Sequence, residues 1–89
     1  MLSENIVIIN KLGLHARAAA KFVSTATKFE SNVTISKDDR SVDGKSIMSV
    51  MMLAASCGTK ITLETNGPDE QEAFTAIQEL INDKFGEGE

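Results

Sequence analysis

Cysteine, histidine and proline occur once each in this 89-residue chain, and tryptophan and tyrosine not at all. With Cys57 alone, no intramolecular disulfide can form and no cysteine cluster can bind metal, which suits a reducing, cytoplasmic setting. Phe22, Phe29, Phe74 and Phe85 are the only aromatics, so the 42% hydrophobic content is mostly aliphatic. No apolar run is long enough to span a bilayer. The most concentrated β-branched stretch, Ile6–Ile9, follows Glu4 rather than a basic segment, which argues against a secretion signal and against membrane insertion. Without such a signal, the glycosylation-like triplet Asn32-Val33-Thr34 is coincidental. Basic charge is also short: the net charge of −4 excludes the electrostatic footprint that nucleic acid requires.

What remains describes one small domain over residues 1–89, of a size that buries only ~60–65% of its unfolded surface and so needs a compact two-layer core. The charge is uneven. Residues 64–89 hold eight acidic side chains against Lys84 alone, whereas residues 1–30 set Lys11, Arg17, Lys21 and Lys28 against Glu4 and Glu30. A mildly basic end on an acidic protein can steer an acidic partner to one face. The last four residues, Gly86-Glu87-Gly88-Glu89, read as a frayed, solubilising tail.

Periodicity gives the elements. Ile6–Ile9 reads as a strand; Val33/Ile35 and Ile61/Leu63 alternate with polar residues, the pattern of a sheet with one face buried. Asp38-Asp39 marks a turn into a short return strand, Ser41-Val42-Asp43. Helical period appears three times. From Ala16 to Phe29 the stripe is Ala19, Phe22, Val23, Ala26 and Phe29. A short apolar helix runs from Ile47 to Ala55, with Val50, Leu53 and Ala54 inward and a glycine stop near Gly58. The third follows Gly67-Pro68, with Asp69, Glu70 and Glu72 at its positive end and Ala73, Phe74, Ile77, Leu80 and Ile81 as its stripe. The order β-α-β-β-α-β-α predicts an α+β two-layer sandwich, with three helices on one face of a mainly antiparallel four-stranded sheet.

Gly13-Leu14-His15-Ala16-Arg17 carries the chemistry. His15 falls between a strand and a helix, in the N-cap slot, where unpaired amides and the helix dipole suit an anion. Arg17, inside the first turn, could bring paired guanidinium donors to the same anion, and the amides of Ala16 and Arg17 would meet it. Imidazole is a good nucleophile and leaving group near neutral pH, so this slot can carry a phosphoryl group. On spacing alone an ordinary capping or surface histidine accounts for the same residues better, because helix N-termini are common and few are functional.

The segment Asn10-Lys11-Leu12-Gly13-Leu14-His15-Ala16-Arg17-Ala18-Ala19 resembles the active-site segment of the HPr family, the histidine-containing phosphocarriers of the bacterial phosphotransferase system. A second block, Gly44-Lys45-Ser46-Ile47-Met48-Ser49-Val50-Met51-Met52-Leu53-Ala54, resembles that family's regulatory-serine segment at the expected separation. The resemblance covers nearly the whole chain. It implies an open-faced β-sandwich, phosphorylation of His15 on Nδ1 by enzyme I from phosphoenolpyruvate, and onward transfer to IIA proteins or domains for sugar uptake or regulation. It also implies phosphate contact by Arg17 and modification of Ser46 by an ATP-dependent HPr kinase/phosphorylase. One departure stands out: family members usually carry proline where this chain has Ala18. Alanine fits a first helical turn equally well, so retained activity with a less rigid helix start is expected.

Ser46 alone reads as a favoured N-cap, worth ~1 kcal/mol, a role compatible with carrying a phosphate at the helix start. The added charge would face an acidic partner and inhibit by repulsion. With Val50 and Leu53 inward, Ile47, Met48 and Met51 fall on the exposed side as an adaptable docking surface, and Met52 could point either way. Gly44-Lys45-Ser46 does not complete a nucleotide-binding loop, because position 39 is aspartate and no strand runs into it. No cofactor or metal motif is present. The chain cannot assemble an enzyme's catalytic constellation of its own, so it reads as a stoichiometric carrier, expected to be a monomer between transient partners. The competing class is an anion- or protein-binding module without covalent chemistry, in which His15→Gln would keep function.

Overall fold

The computed structural model of the chain describes residues 1–88. Four strands, β1 (Leu2–Val7), β2 (Asn32–Lys37), β3 (Arg40–Asp43) and β4 (Lys60–Asn66), form one sheet in the order β1-β4-β2-β3. Every neighbouring pair is antiparallel. The register aligns Ile6 with Ile61, Ile35 with Leu63 and Val42 with Ile35, which gathers the aliphatic positions on one face. Helices α1 (Ala16–Ala26), α2 (Ile47–Met52) and α3 (Glu70–Asn82) cover that face. The two-layer α+β architecture predicted from periodicity is the one observed.

Each helix buries the stripe its sequence encodes. α1 turns Ala18, Ala19, Phe22 and Ala26 inward, and α3 turns in Ala73, Phe74, Ile77 and Ile81, while Val23 and Leu80 are half-buried at the margins. Ile8, Ile35, Leu53, Ile61, Leu63 and Phe85 complete the core between the layers. Among the described residues no helix is long and apolar enough to cross a membrane.

Several boundaries differ from the expected ones. β1 starts four residues before the expected Ile6–Ile9 and ends two residues sooner, because the edge of β4 supplies partners for the polar stretch Ser3-Glu4-Asn5. Ile8 instead pairs with the turn before β4, donating its amide to Thr59 O at 2.9 Å and accepting from Gly58 N at 2.7 Å. α1 stops at Ala26 rather than Phe29: Lys28 and Phe29 reach back only three residues, to Thr25 O and Ala26 O, a tightened last turn. α2 ends at Met52, and Ala54, expected inside, is exposed in the left-handed region at φ 57°, the conformation a C′ glycine usually takes. Gly58, expected to stop that helix, serves the later turn at φ 88°.

The last correction concerns the tail. After α3 the chain makes a 3-10 turn over Lys84–Gly86, places Phe85 fully in the core and brings Glu87 back over the start of α1. Gly86 is therefore held in a hydrogen-bonded turn and Glu87 is partly buried, rather than both being frayed; Glu89 lies outside the described residues.

Candidate functional site

The loop between β1 and α1 is built to present one side chain. Asn10 is completely buried, and its Nδ2 donates to Gly13 O at 2.8 Å while Gly13 N donates to Asn10 O at 3.1 Å, closing a tight turn. Gly13 adopts φ 66°, and a Cβ there would lie 2.5 Å from Ala55 O, so glycine is required both by conformation and by the close approach of the chain following α2. Leu14 N donates to Ala55 O at 2.8 Å and the Leu14 side chain is buried, which fixes the loop at both ends. His15 follows in extended geometry as the N-cap of α1, as its position between strand and helix predicts.

The cap is unusual in what it leaves open. The His15 side chain makes no capping hydrogen bond, and the first helical bond runs from Ala19 N to His15 O at 2.8 Å. Among the described residues, the amides of Ala16, Arg17 and Ala18 thus have no acceptor. They form a set of donors with the positive end of an 11-residue helix behind them. The third exists because position 18 is alanine; a proline would carry no N–H.

The imidazole is half-buried, and its two nitrogens differ. Nε2 contacts Oε2 of Glu87, whereas Nδ1 has no hydrogen-bonding partner among the described residues. Oε1 of Glu87 accepts from Asn10 Nδ2 at 2.9 Å, so one buried amide ties the loop and the tail together. Both acceptors around Asn10 demand its nitrogen, which sets the amide orientation and leaves its buried Oδ1 without a partner among the described residues. The Glu87 carboxyl is held below the usual glutamate value, first by the Asn10 donor and then by the contact and charge of His15 and the charge of Lys21, against the opposing effect of burial. Lys21 Nζ donates to Phe85 O at 2.6 Å and so pins the turn that delivers Glu87.

His15, Arg17, Lys11, Leu12 and Glu87 line a shallow cleft of about 230 Å³, smaller than typical small-molecule pockets. A second shallow cleft touches the other side of His15 and is lined by Leu12, Leu14, Ala54, Ala55 and Ser56. The larger groove between β1 and α3, about 450 Å³ near Glu4 and Phe74, contains no nucleophile matched to an arginine. Around His15 the geometry suits a group the size of a phosphoryl, offered by another protein.

Ser46 lies elsewhere, as the N-cap of α2, and lines neither cleft. Its Oγ accepts from Ser49 N at 3.4 Å, a long capping bond, and the residue is partly exposed. Lys45 Nζ donates to Phe29 O at 2.8 Å, an anchoring role unlike that of a nucleotide-binding lysine. Ile47 (39%), Met48 (64%), Met51 (37%) and Met52 (62%) are exposed on α2, and Leu12 (66%) is exposed in the loop before His15. Among the described residues no group of three metal-ligating side chains occurs.

A protein-family model described as "PTS HPr component phosphorylation site" matches residues 2–83. The chain belongs to the HPr family. It is 61% identical over its full length to the phosphocarrier protein HPr of Neisseria meningitidis serogroup A, itself covered completely, and 60% identical to that of Cupriavidus necator at the same coverage. The crystal structure of HPr-C-His from Thermoanaerobacter tengcongensis superimposes with a TM-score of 0.95 at 49% identity, covering 98% of each chain. Family membership makes the chain a phosphocarrier of the phosphotransferase system, with partners drawn from that system.

Asn10 and Glu87 are the two site residues that sequence reasoning missed. Asn10 stood inside the quoted motif, where a polar residue between an apolar strand and a glycine turn signals a side-chain-closed loop. For Glu87 the only signal was Phe85, an aromatic placed beyond the last helical stripe that needed somewhere to be buried.

Proposed function

We propose that His15 is the phosphoryl carrier. The Nδ1 lone pair attacks the phosphorus of a phosphoryl group borne by enzyme I, charged from phosphoenolpyruvate. The bond between phosphorus and enzyme I breaks, and its electron pair stays on enzyme I. The phosphoryl oxygens then meet the amides of Ala16, Arg17 and Ala18, donors that the helix already orients before the group arrives, and the Arg17 guanidinium that lines the same cleft. Transfer to a IIA protein or domain is the same displacement in reverse, serving sugar uptake or regulation. The carrier performs no turnover of its own and needs no cofactor. The single observation that supports this reading best is the free Nδ1 of a ring held beside open helix-terminal amides and Arg17.

On the same reading the protein works in the cytoplasm as a monomer, with no nucleic-acid partner. It meets its partners through Ile47, Met48 and Met51, exposed on α2, the helix whose following residues Ala54–Ser56 share a cleft with His15. Ser46 is the regulatory position: an HPr kinase/phosphorylase adds a phosphate at the start of α2, the fold tolerates it, and the negative charge weakens docking. The test is intact mass after incubation with phosphoenolpyruvate and enzyme I. One acid-labile phosphoryl adduct on the wild type, absent from His15→Ala, is the expected result. No adduct on either, with an enzyme I active on another carrier, would overturn it.

A further inference from the structure

We infer that Glu87 is a positioning residue for the carrier ring: its carboxylate keeps the His15 proton on Nε2 and so keeps the Nδ1 lone pair available toward the start of α1. The inference rests on the phosphocarrier reading and adds a residue to it. A neutral imidazole has one N–H and one lone pair, and which nitrogen holds which is set by the partner of either. At pH 7 a carboxylate can only accept, so the nitrogen facing Glu87 Oε2 must be the one bearing hydrogen. That nitrogen is Nε2, and the one without a partner among the described residues is Nδ1.

The carboxylate is not a passing surface contact. The Glu87 side chain is only 10% exposed, and its other oxygen takes the Asn10 amide at 2.9 Å. Asn10 is in turn buried and bonded to Gly13 O, so the loop that carries His15 and the tail that holds its ring share one anchor. Behind Glu87, Phe85 is sealed in the core and its carbonyl is held by Lys21. Two oxygens with two donors make the position specific for a carboxylate. Glutamine has one acceptor oxygen and would turn its NH2 toward either Asn10 Nδ2 or the ring.

The arrangement also answers the charge change of phosphoryl transfer. When the Nδ1 pair forms the bond to phosphorus, the ring carries a positive charge, shared with the nitrogen that Glu87 faces. The carboxylate sits at the opposite edge of the ring from Nδ1, clear of the incoming oxygens. A carboxylate that fixes a histidine tautomer and stabilises its cationic form is a recurring arrangement in group-transfer sites.

The experiment is nitrogen NMR of 15N-labelled protein at mildly alkaline pH, without phosphoryl donor, paired with initial rates of phosphorylation by enzyme I. It compares wild type, Glu87→Ala and Glu87→Gln. In the wild type the proton should reside on Nε2. In Glu87→Ala both tautomers should be visible, and kcat for phosphorylation should fall about tenfold with KM for enzyme I nearly unchanged. Glu87→Gln should not restore the wild-type spectrum. Unchanged ring-nitrogen shifts in Glu87→Ala would overturn the inference, as would altered shifts with an unaltered rate or full rescue of both by glutamine. Should the wild type take up no phosphoryl group, the carrier reading fails by itself, and the spectra still decide whether Glu87 sets the tautomer.

Discussion

The starts of α1 and α2 look alike in sequence: each is a polar residue after a glycine-containing turn and before an apolar helix. In space they are opposites. Ser46 spends its side chain on its own helix, accepting from Ser49 N, and α2 is six residues long. The His15 side chain gives nothing to α1; its ring is held from outside by Glu87, and among the described residues the first three amides of an 11-residue helix stay open. A capped helix start is a structural fixture, whereas an uncapped one with a nucleophile at its rim is available to an anion. The contrast explains why one position suits a phosphate that must be passed on and the other a phosphate that only changes charge.

Exchange of side chains tests that division most severely at the two caps themselves. His15→Ala is expected to abolish phosphoryl uptake while the thermal melt stays near wild type, since the ring caps nothing. Ser46→Ala should take up the phosphoryl group at close to the wild-type rate and lose ~0.5–1 kcal/mol of stability in a denaturant titration, the lower end of the range for caps because its bond is long. Equal loss of uptake in both variants would erase the distinction. Arg17→Ala comes next: removing the one guanidinium in the His15 cleft should slow phosphorylation by about 10²-fold, measured as initial rates with enzyme I. Arg17→Lys should recover only part, because an ammonium lacks the paired donors.

Gly13→Ala carries the comparison from chemistry to packing. The loop before α1 presses on the chain after α2, with room for no Cβ: Ala55 O would be 2.5 Å away and Ser56 Cα 2.7 Å. The positive φ adds strain for any side chain. The substitution should cost on the order of 1–3 kcal/mol and slow uptake by misplacing His15, read by chemical denaturation and by the mass assay. Gly58→Ala is the matching control: it shares the positive φ but has nothing within 4 Å, so it should cost less and leave uptake intact.

The fold was legible because its signals are local. The 3.6-residue stripe of Phe22 and Ala26, or of Phe74, Ile77 and Ile81, and the alternation of Val33 with Ile35 and Ile61 with Leu63, mark buried faces directly. Errors occurred where a partner decides. Ser3, Glu4 and Asn5 have no strand-like composition and become a strand because β4 offers an edge. Ala54 takes a left-handed turn that composition assigns to glycine. His15 and Arg17 were visible as a helix-start pair, while Glu87 lies 72 residues from the ring it contacts, in a Gly-Glu-Gly-Glu segment whose composition reads as tail. Nothing periodic links the two. The burial of Phe85, helped by Asn10 and Lys21, brings them together, and burying such a side chain is worth about 1.5–3 kcal/mol.

The acid response of that last contact should be the smallest effect and the most local. Glu87 has a folded-state pKa below its ordinary value of 4.5, chiefly through the Asn10 hydrogen bond, with His15 and Lys21 adding and burial opposing. A depressed carboxylate contributes fully above its unfolded value and loses that contribution as pH falls through the folded one. The tail should therefore remain docked through pH 4.5 and release below it. Asp69 shares the direction: its carboxylate accepts from the Ser31 hydroxyl and from the amides of Glu30 and Ser31, bracketing the start of β2 to that of α3. Its protonation loosens the junction of β2 and α3, whereas protonation of Glu87 releases the tail and the ring it holds. Carboxyl-carbon NMR between pH 7 and 3 separates them. The Glu87 midpoint should lie below 4.5 and rise in His15→Ala, Asn10→Ala, where both its hydrogen-bond partners are removed. A wild-type midpoint at or above 4.5 would mean that the tail does not hold the ring in solution. The two helix starts would then differ only in their own side chains.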